Sequence, residues 1–278
     1  MNRKSILSSL FGGLAAVSGS AMATGFVTLP ATGVPVSGGT SAYVTCNLTG
    51  NFGSNPAGST PPTFSPNGGA NNTCAVPSNN PPLTGYSQVV STVRNIVINN
   101  VTIGTVTDRV LRNAAATSCI YAAKIRLNGV DYNPAVAGTQ YFEVNDFQRA
   151  GFRNRGPVAV AYNFVTRGGA QSDEVLYRAG LTKTAVVHLS TDLTAQPLTS
   201  VAPLSTNWVD FTSDLNFMDP DGSSMRDSSW FYVQSGCTSA APTAVTGALR
   251  FRQMGQEGQP PLEISVPGYA PAGANTTP

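Results

Sequence analysis

Cys119-Ile120-Tyr121-Ala122-Ala123-Lys124-Ile125-Arg126-Leu127-Asn128-Gly129 reads in twos. Cys119, Tyr121, Ala123, Ile125 and Leu127 fall on one face of an extended chain, and Lys124, Arg126 and Asn128 fall on the other. Successive side chains of a strand point to opposite faces, so this is a strand with one dry and one wet side. Asn128-Gly129 then predicts a tight hairpin turn. The same alternation recurs in Val158/Val160/Tyr162/Phe164, Val209/Phe211/Leu215/Phe217, Phe231/Val233/Cys237 and Leu249/Phe251/Gln253. Leu262, Ile264 and Val266 make a last strand, which Pro267 and Gly268 are expected to end.

Further strands are expected at 95–103, 105–112, 140–147, 174–178 and 184–190, with short ones at 26–29 and 42–46. No stretch repeats with the period of an amphipathic helix. Strands wet on one face form antiparallel sheets, and two such sheets must bury their dry faces against each other. The expectation is an all-β protein: an antiparallel β-sandwich of jelly-roll or Greek-key type, with about ten strands and a long irregular N-terminal region.

Composition agrees. Only 11% of the 278 residues are charged, against roughly 25% in an average soluble domain. That excludes long charge-laced helices, and a net charge of +2 leaves no basic footprint for nucleic acid. From Thr24 to Val93 no residue is charged, and Gly and Pro make up more than a quarter of the positions. Irregular backbone is expected there, above all between Asn51 and Gly85.

The first residues address the chain. Arg3 and Lys4 precede a short apolar stretch, and Ala21-Met22-Ala23 has the form that a signal peptidase reads. Residues 1–23 are therefore read as a signal peptide, short and simple as in bacteria. The apolar stretch falls below the roughly 20 residues of a membrane span, and no later one reaches it. Residues 24–87 form the Gly/Pro/Asn-rich region, 88–268 the sandwich, and 269–278 a flexible tail. Localisation is expected to be periplasmic, extracellular or at the cell surface, with no membrane span after signal removal.

Cys46, Cys74, Cys119 and Cys237 are the four cysteines, and all follow the cleavage site. In an oxidising compartment they form disulfides, and of three connectivities we expect 46–74 and 119–237. Cys119 and Cys237 each share parity with an apolar row, which predicts a bridge across the core between opposed strands. There is no C-x-x-C pair and only one histidine, a poor donor set for zinc.

Catalytic chemistry finds little support. His188 is the one histidine, no G-x-S-x-G elbow occurs, and His188 reads as a strand-face residue without a catalytic role. Glu143, Asp146, Asp173 and Glu174 are the candidate acids for glycoside hydrolysis, but Glu143 and Asp146 have opposite parity and Asp173-Glu174 follows a glycine turn. Arg149, Arg153 and Arg155, interleaved with Phe147 and Phe152, form a candidate patch for an anionic ligand such as an acidic polysaccharide. Asp219, Asp221 and Asp227 supply hard oxygen ligands around the Pro220-Asp221-Gly222 turn and form a candidate calcium site, with Asp210 and Asp214 flanking it.

The function expected from these features is that of an exported, non-catalytic module for adhesion, matrix building or glycan binding. Its partners would be a surface polysaccharide or another surface protein. The alternatives are a secreted polysaccharide hydrolase, and a fibre subunit whose N-terminal region donates a strand to a neighbour.

Overall fold

A computed structural model describes residues 25–36, 39–46, 74–76, 81–163, 177–183, 202–218, 225–253 and 260–278. The expected signal peptide, the strand at 184–190 with His188, and Asp173, Glu174, Asp219 and Asp221 lie outside the described residues. Within them the chain is strand and loop, with no helix and so none long and apolar enough to cross a membrane.

In chain order the strands are β1 (Val27–Thr28), β2 (Val34–Val36), β3 (Gly39–Ser41), β4 (Tyr43–Thr45), β5 (Ala75–Val76), β6 (Tyr86–Ile98), β7 (Val101–Asn113), β8 (Ser118–Leu127), β9 (Val144–Ala150), β10 (Ala159–Asn163), β11 (Arg178–Gly180), β12 (Trp208–Leu215), β13 (Trp230–Gly236), β14 (Thr243–Gln253) and β15 (Leu262–Ala270). The first sheet runs β1-β10-β13-β8-β7-β6, with β5 also on β10. The second runs β15-β14-β9-β12-β11-β4. Every pairing is antiparallel except β5 on β10. From β8 onward the chain passes repeatedly from one sheet to the other, as it does in a Greek-key sandwich rather than a meander.

The dry rows read from the sequence meet between the sheets. Phe147 of β9 lies 5.8 Å from Phe211 and 5.5 Å from Phe251, its neighbours in the second sheet. Phe231 of β13 comes across from the first sheet, 6.0 Å from Phe147 and 5.5 Å from Phe211. All four rings are buried, and each contributes about 1.5–3 kcal/mol by leaving water.

Several local expectations are corrected. The strand expected at 95–103 is two strands. Asn99 and Asn100 hold φ of 50° and 64°, the left-handed pair that a tight turn between twisted strands requires, and they join β6 to β7. Asn128-Gly129 makes no hairpin, because β8 pairs with β7 and β13 and never with β9. Asn128 instead bonds back to Ile103 and Thr102, and a Cβ on Gly129 would lie 2.2 Å from the Phe217 ring. Pro267 and Gly268 do not end the last strand. Pro267 has no ladder partner because the β14–β15 register shifts between Gly268 and Val266, so its missing N–H costs no ladder bond, and Leu249 packs on bare Gly268.

Both disulfides are the expected pairs, but their architectural roles are exchanged. Cys119–Cys237 ties β8 to the end of β13, which are neighbours in one sheet, so it is not a bridge between opposed rows. Cys46 follows β4 of the second sheet and Cys74 precedes β5 of the first, so this bridge joins the two sheets. The N-terminal region therefore contributes strands to both layers.

Candidate functional site

Two clusters of charged side chains stand out, one closed and one open. The closed cluster lies on the outer face of the second sheet. Strand register sets Arg178, Thr212, Asp146 and Arg252 in one lateral row and Gly180, Asp210, Gln148 and Arg250 in the next. Asp146 and Asp210 are thus diagonal neighbours on β9 and β12, both fully buried. Tyr43 stands beside Gly180, which has no side chain to intervene, and its hydroxyl donates to Asp210 Oδ2 at 2.8 Å. Gln148 Nε2 donates to Asp210 Oδ1 at 2.7 Å and to the Lys183 carbonyl at 2.8 Å. Arg252 reaches the same carbonyl at 3.0 Å, so segment 181–183 is bonded over this face.

Asp146 Oδ1 accepts from the Thr212 hydroxyl at 3.4 Å. Burial pushes Asp146 well above the usual carboxylate range, and the Asp210 charge adds to the rise. Burial likewise raises Asp210, to about 6, while hydrogen bonds from Asp146, Gln148 and Tyr43 hold it down. Burial and the neighbouring charge thus favour the protonated form of Asp146 beside an Asp210 that its donors hold lower. A glycosidase instead needs two carboxyls facing a sugar across several ångströms. This pair is closed off on the sheet face, with both side chains fully buried. The Val209/Phe211 alternation that puts Asp210 on the other face was visible in the sequence, but the β9–β12 pairing that brings Asp146 beside it was not.

The open cluster involves the arginines of the Phe147-to-Gly156 stretch, which the fold divides. Arg149 points into the sandwich, 1% exposed, and bonds Asp108 at 2.7 Å and the Tyr269 carbonyl at 2.8 Å. It shares parity with Phe147, so the strand turns it inward and it cannot serve a surface patch. Arg153 and Arg155 lie beyond the end of β9, where Gly151 (φ 115°) turns the chain and Asn154 takes a left-handed φ of 59°. Arg153 is exposed and Arg155 half-buried.

The C-terminal segment packs beside them. Arg155 donates to the Ala272 carbonyl at 2.6 Å, and Arg153 to the main-chain oxygens of Thr277 and Pro278. Asn207 Nδ2 donates to the carbonyls of Asn275 (2.9 Å) and Thr277 (2.7 Å). Between these groups is a recess of about 290 Å³, lined among others by Arg153, Asn154, Arg155, Asn207 and Asn275. Among the described residues no acidic side chain pairs with either arginine.

Of the three candidate calcium ligands, only Asp227 is described. Arg126 Nη1 donates to both of its oxygens at 3.1 Å, and Arg226 Nε stands 3.8 Å away. Two guanidinium groups already balance this carboxylate, which makes it a poor cation ligand. Asp210 is buried and bonds Tyr43 and Gln148. No family model matches the chain, and comparison with curated proteins and with solved structures finds no match.

Proposed function

We propose that the chain is an exported, non-catalytic β-sandwich module, acting at the cell surface or in the periplasm, that binds an acidic polysaccharide at its Arg153–Arg155 end. The observation that carries this reading is the recess beside the Arg153 and Arg155 guanidinium groups, which bond main-chain oxygens of the C-terminal segment and pair with no acidic side chain among the described residues. Planar guanidinium forks match carboxylate or sulfate in two-point contact, and the neighbouring asparagine amides suit sugar hydroxyls. Two disulfides suit an exported chain. The full burial of Asp146 and Asp210, with Asp210 bonded to Tyr43 and Gln148, weighs against the hydrolase alternative.

The test is a binding screen of neutral, uronate-bearing and sulfated polysaccharides, with reducing ends assayed in parallel. Retention of acidic polymers without new reducing ends supports the proposal. Release of reducing ends, or equal retention of neutral polymers, contradicts it.

A further inference from the structure

The first sheet ends in β6, and among the described residues no strand pairs with its outer edge. β6 spans 13 residues, contains no proline and carries one charged side chain, Arg94. That guanidinium turns inward, 3.7 Å from Asp108 and 5.1 Å over the Tyr269 ring. The exposed row contains Val89, Val93 and Val97 at 47%, 62% and 44% exposure. Exposed edges are commonly blunted by proline, charge or bulges. On the same side of the sandwich, edge strand β15 has two of these devices, Pro267 and Glu263, and its Tyr269 meets Thr92 of β6 at 2.8 Å. The pairing of β6 with β7 shifts register between Gln88 and Val90 and again between Ile96 and Val97, and from Val90 to Ile96, the stretch centred on Val93, it is regular.

We propose that this edge pairs with β6 of a second copy of the chain, antiparallel about a two-fold axis at Val93, making one continuous sheet across two protomers. The sequence is a palindrome in polarity about that residue. Antiparallel pairing sets Val93 against itself, Ser91 against Asn95 and Val89 against Val97 on the exposed face. On the inner face it sets Val90 against Ile96 and Thr92 against Arg94. Apolar meets apolar and polar meets polar, with no like charges opposed, which is the self-complementarity that a two-fold interface demands. Main-chain hydrogen bonds supply the attraction, as in other strand additions.

The experiment is sedimentation velocity of the purified protein across a concentration series, beside Val93→Lys and the exposed β15 control Ser265→Lys. The expected result is a concentration-dependent dimer that persists in Ser265→Lys. Val93→Lys opposes two ammonium groups on the axis and should weaken the dimer by about a hundredfold or more. Val93→Cys should form an intermolecular disulfide on mild oxidation, read on a non-reducing gel, which tests the register without relying on the lysine variant. A monomer at every concentration, a dimer indifferent to Val93→Lys, or no cross-link from Val93→Cys would overturn the pairing. Open-ended larger species that Val93→Lys abolishes would also overturn it, because the edge would then be taking a strand from another segment.

Discussion

Asp108 of β7 and Arg149 of β9 form an ion pair at 2.7 Å, with side chains 0% and 1% exposed, and they belong to opposite sheets. Asp108 also accepts the Tyr269 amide at 2.7 Å, and Arg149 also donates to the Ala122 carbonyl, so the pair is well bonded where it crosses the core. Removing one member leaves the other charged and buried. Arg149→Met should cost about 3–5 kcal/mol in denaturant unfolding, whereas Asp108→Asn with Arg149→Met should recover most of that loss. A single variant unfolding at the parental midpoint would show that the pair is not held in this form.

The Asp146–Asp210 pair predicts an unusual pH dependence. Both carboxyls are raised above the value of about 3.9 expected in the unfolded chain, Asp210 to about 6 and Asp146 well above that usual value, by burial first of all. The native state therefore binds protons that the unfolded chain has released, and this contribution to stability falls as pH rises from about 4 through 6. The expected slope is about 1.4 kcal/mol per pH unit for each retained proton. Asp146→Asn, which replaces the protonated acid with a neutral amide, should flatten the profile relative to the parent. Parallel profiles would mean that Asp146 is not held protonated.

Deleting the two disulfides should be unequal. Cys46–Cys74 spans 28 residues of sequence and Cys119–Cys237 spans 118. On chain entropy their loss costs about 3.5 and about 5 kcal/mol respectively. Paired Cys→Ser variants followed by chemical unfolding check the order. Non-reducing peptide mapping checks the partners, and Cys46 joined to Cys119 or Cys237 would contradict the fold.

The strands were legible because alternation is local: Tyr121, Ile125 and Leu127 face inward whatever pairs with them. Pairing was not legible, because it depends on contacts far apart in sequence. Parity showed that Cys119 points inward, yet not that Cys237 lies beside it in the same sheet. Asn128-Gly129 was misread because the Phe217 ring, 88 positions away, is what requires a glycine there. Gly129→Ala should accordingly destabilise by about 1–3 kcal/mol in thermal or chemical unfolding, through overpacking against that ring. The Arg149, Arg153 and Arg155 stretch shows both sides of the matter. Composition grouped three arginines, while the end of β9 turns one into the core and leaves two at the surface.

The binding end is tested most directly by titrating a uronate-bearing oligosaccharide into the parent protein and into Arg153→Gln/Arg155→Gln, at low and at physiological salt. Both side chains sit outside the core, so the double variant should stay folded, with a midpoint lowered only by the loss of their bonds to the C-terminal segment. The account predicts binding in the parent that weakens as salt rises, and a loss of about tenfold or more in the variant. Equal affinity in the two proteins, or no binding by the parent at low salt, would contradict it.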